Sequence, residues 1–142
     1  MVSRLPMALL RQLAGLVLLL LLVLVPLTPA SGAQPYELVV VEHLRLKVPE
    51  AGVDAWLAAE RGSWEPWLAQ QPGFLDRQLL WDAEREEGTL LIHWASREQW
   101  MAIPSTQVQA VQQRFEALAR QASGLSQGNP FPLIFEGELA PL

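Results

Sequence analysis

Apolar residues in this chain change their spacing several times, and the order of those changes limits the possible fold. From Glu37 to Val48 they alternate with other residues, which predicts a strand. From Val53 to about Gln70 they recur every three or four residues, which predicts a helix that either kinks at Pro66 or is followed by a second short helix capped by Ser63. Next come two predicted strands, Phe74–Trp81 and Thr89–Ala95, joined by the loop Asp82–Gly88. A helix capped by Ser96 follows; it breaks at Pro104, resumes from a cap at Ser105 and ends near Gly124. The last predicted strand is Phe131–Leu139.

The resulting order is β-α-β-β-α-β, the split βαβ arrangement of ferredoxin-like folds. It predicts an α+β domain in which two helices cover one face of a four-stranded antiparallel sheet. The other face would leave Val39, Val41 and Leu91 exposed to water in a monomer. We therefore expect a homodimer in which two such sheets pack together.

Residues 1–33 form a region of a different kind. Arg4 and Arg11 are its only charges, Leu13–Val25 is continuously apolar, and small residues such as Ser31 and Ala33 end it. This pattern predicts a secretory signal peptide cleaved after Ala33, and therefore export to a periplasm or lumen. The apolar run is shorter than the roughly 20 residues of a spanning helix, and an uncleaved anchor is the alternative. After cleavage no membrane segment is expected.

Composition limits the remaining domain, residues 34–142. Loss of two arginines takes the formal charge of the chain from -5 to -7. A chain of this size makes one domain with one core. Its acidic balance and scattered basic residues argue against a nucleic-acid partner. Because the chain has no cysteine, disulfides, thiolate metal sites and cysteine nucleophiles are excluded.

Glu42 interrupts the apolar side of the first predicted strand, between Val40 and Leu44. Burying an unpaired carboxylate is costly or forces the group to take up a proton. Such an exception often marks a functional site, so we consider Glu42 a candidate catalytic base or ligand-orienting group. The alternative is that it binds a backbone group or pairs with an arginine.

Tryptophan is abundant in this domain. Trp94 and Trp100 flank the junction between the third strand and the second helix, and Trp56, Trp64 and Trp67 lie on the first helical stripe. Together they could line a flat pocket for an aromatic or tetrapyrrole ligand. The alternative is that these rings fill the core and a dimer interface.

Two histidines fall on adjacent strands of the predicted sheet. His43 and His93 could bind a metal ion or relay a proton, and His93 is also a candidate ligand-binding residue. His43 shares its face with Arg45 and Lys47, and no third ligand has a recognisable spacing. A polar lining of the dimer interface is therefore preferred, and no metal site is predicted.

Three segments resemble a known group of proteins. VVVEHLRLKVP, WEPWLAQQPGFL and LIHWASREQWMAIP are similar to a small family from photosynthetic bacteria, within the dimeric α/β-barrel superfamily of the antibiotic biosynthesis and haem-degrading monooxygenases. The resemblance covers roughly Val39 to Phe115. It implies a homodimer with a ligand cleft between sheet and helices, and cofactor-independent oxygenation of a hydrophobic or aromatic compound. Glu42 would then be the base, with Trp94 and Trp100 holding the ring.

The haem-degrading branch of this superfamily has an Asn on the first strand, then a Trp and a His on the second helix. Leu44, Ile103 and Gln113 occupy the corresponding positions here. Because the His that binds iron is replaced, haem breakdown is not expected, and no cofactor is predicted. The competing expectation for the whole protein is a non-catalytic dimerisation or interaction module without a substrate.

Overall fold

The computed structural model describes residues 39–142, so the signal-peptide prediction for residues 1–33 lies outside the described residues, as does the predicted strand start at Glu37. The strands are β1 (Val40–Lys47), β2 (Phe74–Asp82), β3 (Glu87–Trp94) and β4 (Leu133–Leu139). The α-helices are α1 (Val53–Gly62), α2 (Trp64–Leu68), α3 (Arg97–Met101) and α4 (Ser105–Ser123). Within this part of the chain, no helix is both long and apolar enough to cross a bilayer.

The strands form one sheet in the order β2-β3-β1-β4, with each neighbouring pair antiparallel. This confirms the predicted α+β ferredoxin-like fold and the edge position of the last strand. One register shift occurs in β4, where Phe135 pairs with Arg45 but Leu133 pairs with Leu46, so that Ile134 is an extra residue. The core lies between the sheet and the helices and includes Val40, Leu46, Val48, Trp56, Leu68, Ile92, Trp94, Phe115, Ala119 and Phe131.

The first helical stripe divides into two helices at Ser63, as the sequence predicts. Ser63 lies at the N-cap position of α2, but its hydroxyl donates a hydrogen bond to the carbonyl of Ala59 in α1 at 2.6 Å. The side chain therefore does not cap α2, contrary to the prediction. Pro66 falls in the first turn of α2, where a missing N–H removes no bond within the helix. The division brings Trp64 and Trp67 onto a short separate helix above the sheet.

The β2–β3 hairpin is tighter than the predicted loop Asp82–Gly88, because the last two residues of that range lie in β3. The Asp82 carboxylate accepts the backbone N–H of Glu84 at 3.0 Å, and this bond helps to form the turn. Gly88 is not a turn residue. A Cβ at this position would lie 2.8 Å from the Trp56 ring, so the indole packs directly on the strand backbone.

The helix boundaries after β3 agree largely with the sequence. The Ser96 hydroxyl accepts the backbone N–H of Gln99 at 3.2 Å, which confirms the predicted cap of α3. Pro104 precedes α4, and Ser105 is the first helical residue and not its cap. Gly124 ends α4 with a left-handed φ of 69°.

The sheet face opposite the helices exposes less central apolar surface than predicted. Val41 is only 8% exposed, and Val39 and Leu91 are half-buried. Val41 is on a central strand, where His93 and Leu139 flank it on the two neighbouring strands. The exposed apolar side chains of this open face lie on the edge strands instead, and are Leu80, Phe135 and Leu139.

Candidate ligand-binding and catalytic site

A cavity of about 770 Å³ lies between the helices and the sheet. Its volume falls in the range of small-molecule sites, and its lining is mostly apolar. The sequence-predicted residues that line it are Glu42, Trp64, Trp67, Trp94 and Trp100. Five of the six predicted site residues are thus brought together by β1, β3 and the helices α2 and α3.

The tryptophans have different roles around this cavity. Trp64, Trp67 and Trp100 line it and are half-buried, which leaves part of each indole free for a ligand. Trp64 and Trp67 pack edge to face, with ring centroids 5.5 Å apart. Trp94 is 1% exposed and lines the floor of the cavity. Trp56 is also 1% exposed but belongs to the core only. Core filling is the alternative that the sequence left open for all of these rings, and Trp56 follows it.

Glu42 is half-buried on the helix side of β1. The Nε1 atom of Trp94 donates a hydrogen bond to its Oε2 atom at 3.1 Å. Burial raises the pKa of Glu42 to about 7, the Trp94 hydrogen bond opposes this rise, and the charge of Glu136 adds to it. The partner of Glu42 is therefore an indole, not the arginine or backbone group of the alternative interpretation.

Glu136 is a second carboxylate of the cavity and is not among the residues predicted from the sequence. It lies on β4 opposite Leu44, and both side chains line the cavity. Glu138, two residues further along β4, pairs in register with Glu42. The signal was available in the alternation of this strand, but only the pairing of β4 with β1 identifies which face of β4 meets the cavity.

A buried ion pair forms another part of the wall. Glu60 on α1 is 2% exposed and lines the cavity, and its Oε2 atom lies 2.6 Å from Nη1 of Arg77 on β2. The other guanidinium nitrogen, Nη2, lies 3.2 Å from Oε2 of Glu65. Burial raises the pKa of Glu60, and Arg77 opposes this rise. The sequence contains a sign that Glu60 is buried, because it follows Trp56 by four residues on the apolar side of α1, but it contains no sign that Arg77 is the partner.

His93 does not line this cavity, so the structure does not bring this candidate ligand-binding residue together with the tryptophans. It lies next to Ile92 and Trp94 on β3, and alternation along a strand turns it to the open face. There its Nδ1 atom is 2.8 Å from Oδ1 of Asp76. His43 lies on the same face, with its ring centroid 5.0 Å from that of Phe135.

The lining does not reproduce the haem-degrading pattern. Leu44, Ile103 and Gln113, which replace the Asn, Trp and His of that branch, all line the cavity and provide two apolar groups and one amide. Across residues 39–142, no group of three or more His, Cys, Asp or Glu side chains could hold a metal ion.

Comparison with known proteins identifies the fold. No family model and no curated protein matches the sequence. The ActVA-Orf6 monooxygenase of Streptomyces coelicolor, solved with the ligand nanaomycin D, is similar in structure with a TM-score of 0.50 and 17% identity, over 77% of this chain and 91% of that one. A mutant of SnoaB, a cofactor-independent oxygenase of Streptomyces nogalater, gives a TM-score of 0.46 and 17% identity, over 72% of this chain and 92% of that one.

At this level of identity the likeness concerns the fold and not the chemistry. The narrower resemblance to a family from photosynthetic bacteria stays a prediction. The described domain has a ferredoxin-like fold, which it shares with the Streptomyces coelicolor protein.

Proposed function

We propose that this protein is an exported homodimer that binds a hydrophobic or aromatic small molecule and oxygenates it without a cofactor. The observation that carries the proposal is the composition of the 770 Å³ cavity, which combines four tryptophans with the half-buried carboxylate of Glu42. Flat rings provide large contact areas for an aromatic ligand. A carboxylate within an apolar enclosure provides a base beside it.

Glu42 is suited to remove a proton from a weakly acidic carbon. Its pKa of about 7 makes it a stronger base than an ordinary glutamate, and about half of it is still ionised at neutral pH. Trp94 holds one carboxylate oxygen, and the second oxygen can accept the proton. The rings of Trp64, Trp67 and Trp100 would hold the substrate in place while this transfer occurs.

The proposed reaction uses molecular oxygen as the oxidant. The substrate C–H bond breaks, its proton goes to Glu42, and the electron pair stays on carbon. The carbanion passes these electrons to O₂ in two single steps, a C–O bond forms, and the resulting peroxide takes the proton back. Loss of water from a hydroperoxide that retains a hydrogen on the same carbon gives a ketone. Monooxygenation is the activity for which the Streptomyces coelicolor protein of the same fold is named, and the route without a cofactor follows from the family resemblance of the sequence.

The open face of the sheet supports the homodimer. Leu80, Phe135 and Leu139 expose between about a third and a half of their surface there, on the two edge strands. Packing a second sheet against this face would remove these side chains from water.

Native mass spectrometry of the protein purified from its own exported compartment tests the binding function and the processing together. We expect a dimer whose chains begin at Gln34 and that retains a small-molecule adduct. The adduct, added back in air, should be consumed with O₂ by the wild type and by Glu84→Gln, a control at the exposed β2–β3 turn. Glu42→Gln should bind it without consuming O₂. A dimer that retains no adduct, or an adduct that never consumes O₂, would instead favour the non-catalytic module.

A further inference from the structure

We propose that the cavity selects organic cations, namely amines or quaternary ammonium compounds with an aromatic group, over neutral and anionic compounds of the same shape. This inference rests on the proposed binding function and names the class of ligand. It does not depend on the oxygenation step.

The first observation is the sign of the charges that line the cavity. Its ionisable lining residues are Glu42, Glu60 and Glu136. Within the part of the chain that the structure describes, no Lys, Arg or His side chain lines it. The ionisable side chains of the lining are therefore all acidic, and in a low-dielectric space any of them that stays ionised and unpaired repels an anionic ligand strongly.

The second observation is which of the lining glutamates already have a positively charged partner in the protein. Glu60 is held by Arg77 at 2.6 Å, so it contributes little net charge. Arg97 and Glu138 both lie outside the cavity lining. They are 3.0 Å apart, so the positive charge of Arg97 is neutralised by Glu138. Glu42 binds an indole N–H, and the neighbouring charge of Glu136 makes its ionised form less favourable. A cation between Glu42 and Glu136 would relieve this repulsion.

The third observation is the position of the rings. Trp64, Trp67 and Trp100 line the same cavity as the two carboxylates and are half-buried. The face of an indole carries negative electrostatic potential and attracts ammonium groups, and several rings around one enclosure form the usual recognition site for quaternary ammonium ligands. Rings and carboxylates thus favour the same charge on the ligand.

Three naphthalene compounds of similar size test this inference by isothermal titration calorimetry with the wild-type dimer. They are the cation 2-naphthylmethyl-trimethylammonium, the neutral 2-naphthylethanol and the anion 2-naphthylacetate. We expect the cation to bind at least about tenfold more tightly than the alcohol, and the acetate to bind too weakly to measure.

Variants connect the preference to the residues that carry it. Glu42→Gln and Glu136→Gln should each weaken binding of the cation by about tenfold and leave binding of the alcohol within about twofold. Glu84→Gln removes the same charge at an exposed turn and should change neither. If the alcohol binds as tightly as the cation, the cation preference is overturned while the binding function stands. If none of the three compounds binds, the proposed binding function fails as well.

Discussion

The indole N–H of Trp94 and the carboxylate of Glu42 meet across two neighbouring strands, at a distance of 3.1 Å. Trp94 pairs in register with Val40, two residues before Glu42, so the hydrogen bond runs diagonally across the sheet. It restrains one carboxylate oxygen and leaves the other without this bond. A polar contact of this kind gives an otherwise unpaired buried carboxylate a fixed orientation.

Glu42→Gln should change how stability depends on pH. The pKa of Glu42 in the folded protein is about 7, above its ordinary value of 4.5, so between these values the folded state binds more protons than the unfolded state. Stability conferred by this group is therefore complete at low pH and is lost as pH rises towards and through 7. Between pH 5 and pH 8 the wild type should lose about 2 kcal/mol relative to the variant, allowing for partial exposure.

Urea unfolding at pH 5, 6, 7 and 8 measures this difference. Glu84→Gln serves as the control and should follow the wild type. Parallel curves for the wild type and Glu42→Gln would contradict the raised pKa.

Trp94→Phe should make the pH effect of Glu42 larger. It removes the hydrogen bond that favours the ionised carboxylate, so the pKa of Glu42 should rise further and the loss of stability should extend to higher pH. The smaller ring also costs about 1 to 3 kcal/mol at every pH. The double variant with Glu42→Gln separates the two effects, because it should retain the general cost and lose the pH dependence. A pH effect that survives in the double variant would show another origin.

Arg77→Met should destabilise the protein strongly, because it leaves the Glu60 carboxylate 2% exposed and without its cation. Breaking a buried pair from one side costs about 3 to 5 kcal/mol. Adding Glu60→Gln should recover more than half of that loss. Thermal unfolding of both variants measures this, and equal stabilities would mean that Arg77 acts through packing alone.

Gly88→Ala should cost about 1 to 3 kcal/mol, since a Cβ would lie 2.8 Å from the Trp56 ring. The same change in a Trp56→Phe background should cost much less, because the atoms in conflict belong to the six-membered ring of the indole. A double-mutant cycle by urea unfolding gives the coupling. Additive effects would contradict direct packing of the indole on the strand.

Leu80→Glu should abolish the proposed homodimer without unfolding the domain, because this side chain is 51% exposed on the open face of the sheet. Leu125→Glu is the matched control, since Leu125 is 52% exposed just after α4. Sedimentation velocity at micromolar concentration should show dimers for the wild type and the control, and monomers for Leu80→Glu. A monomeric wild type would contradict the dimer.

Element order and the gathering of most site residues follow from sequence patterns. The periodicities predict the strands and helices, and the exception at Glu42 leads to a residue that lines the cavity. The same alternation, applied to His93 beside Trp94, would have placed these two side chains on opposite faces. The strand pattern therefore separates His93 from Trp94, although its residue type makes it a candidate ligand-binding residue.

Other features that the sequence does not predict correctly depend on contacts between residues far apart in the chain. Gly88 suggests a turn by its type, but its place is decided by the Trp56 ring, which approaches from another element. The burial of Val41 depends on which strands flank β1. The Glu60 and Arg77 pair also joins two elements, so neither local propensity nor spacing alone predicts it.

The extra residue Ile134 in β4 has a consequence for comparing sequences. Leu133 and Glu136 both line the cavity although they are three positions apart, which strict alternation would forbid. An insertion or deletion of one residue at this point would change the set of side chains that line the cavity while leaving every one of them in the sequence. In an alignment of homologues, a one-residue gap here therefore has the weight of a substitution in the cavity lining.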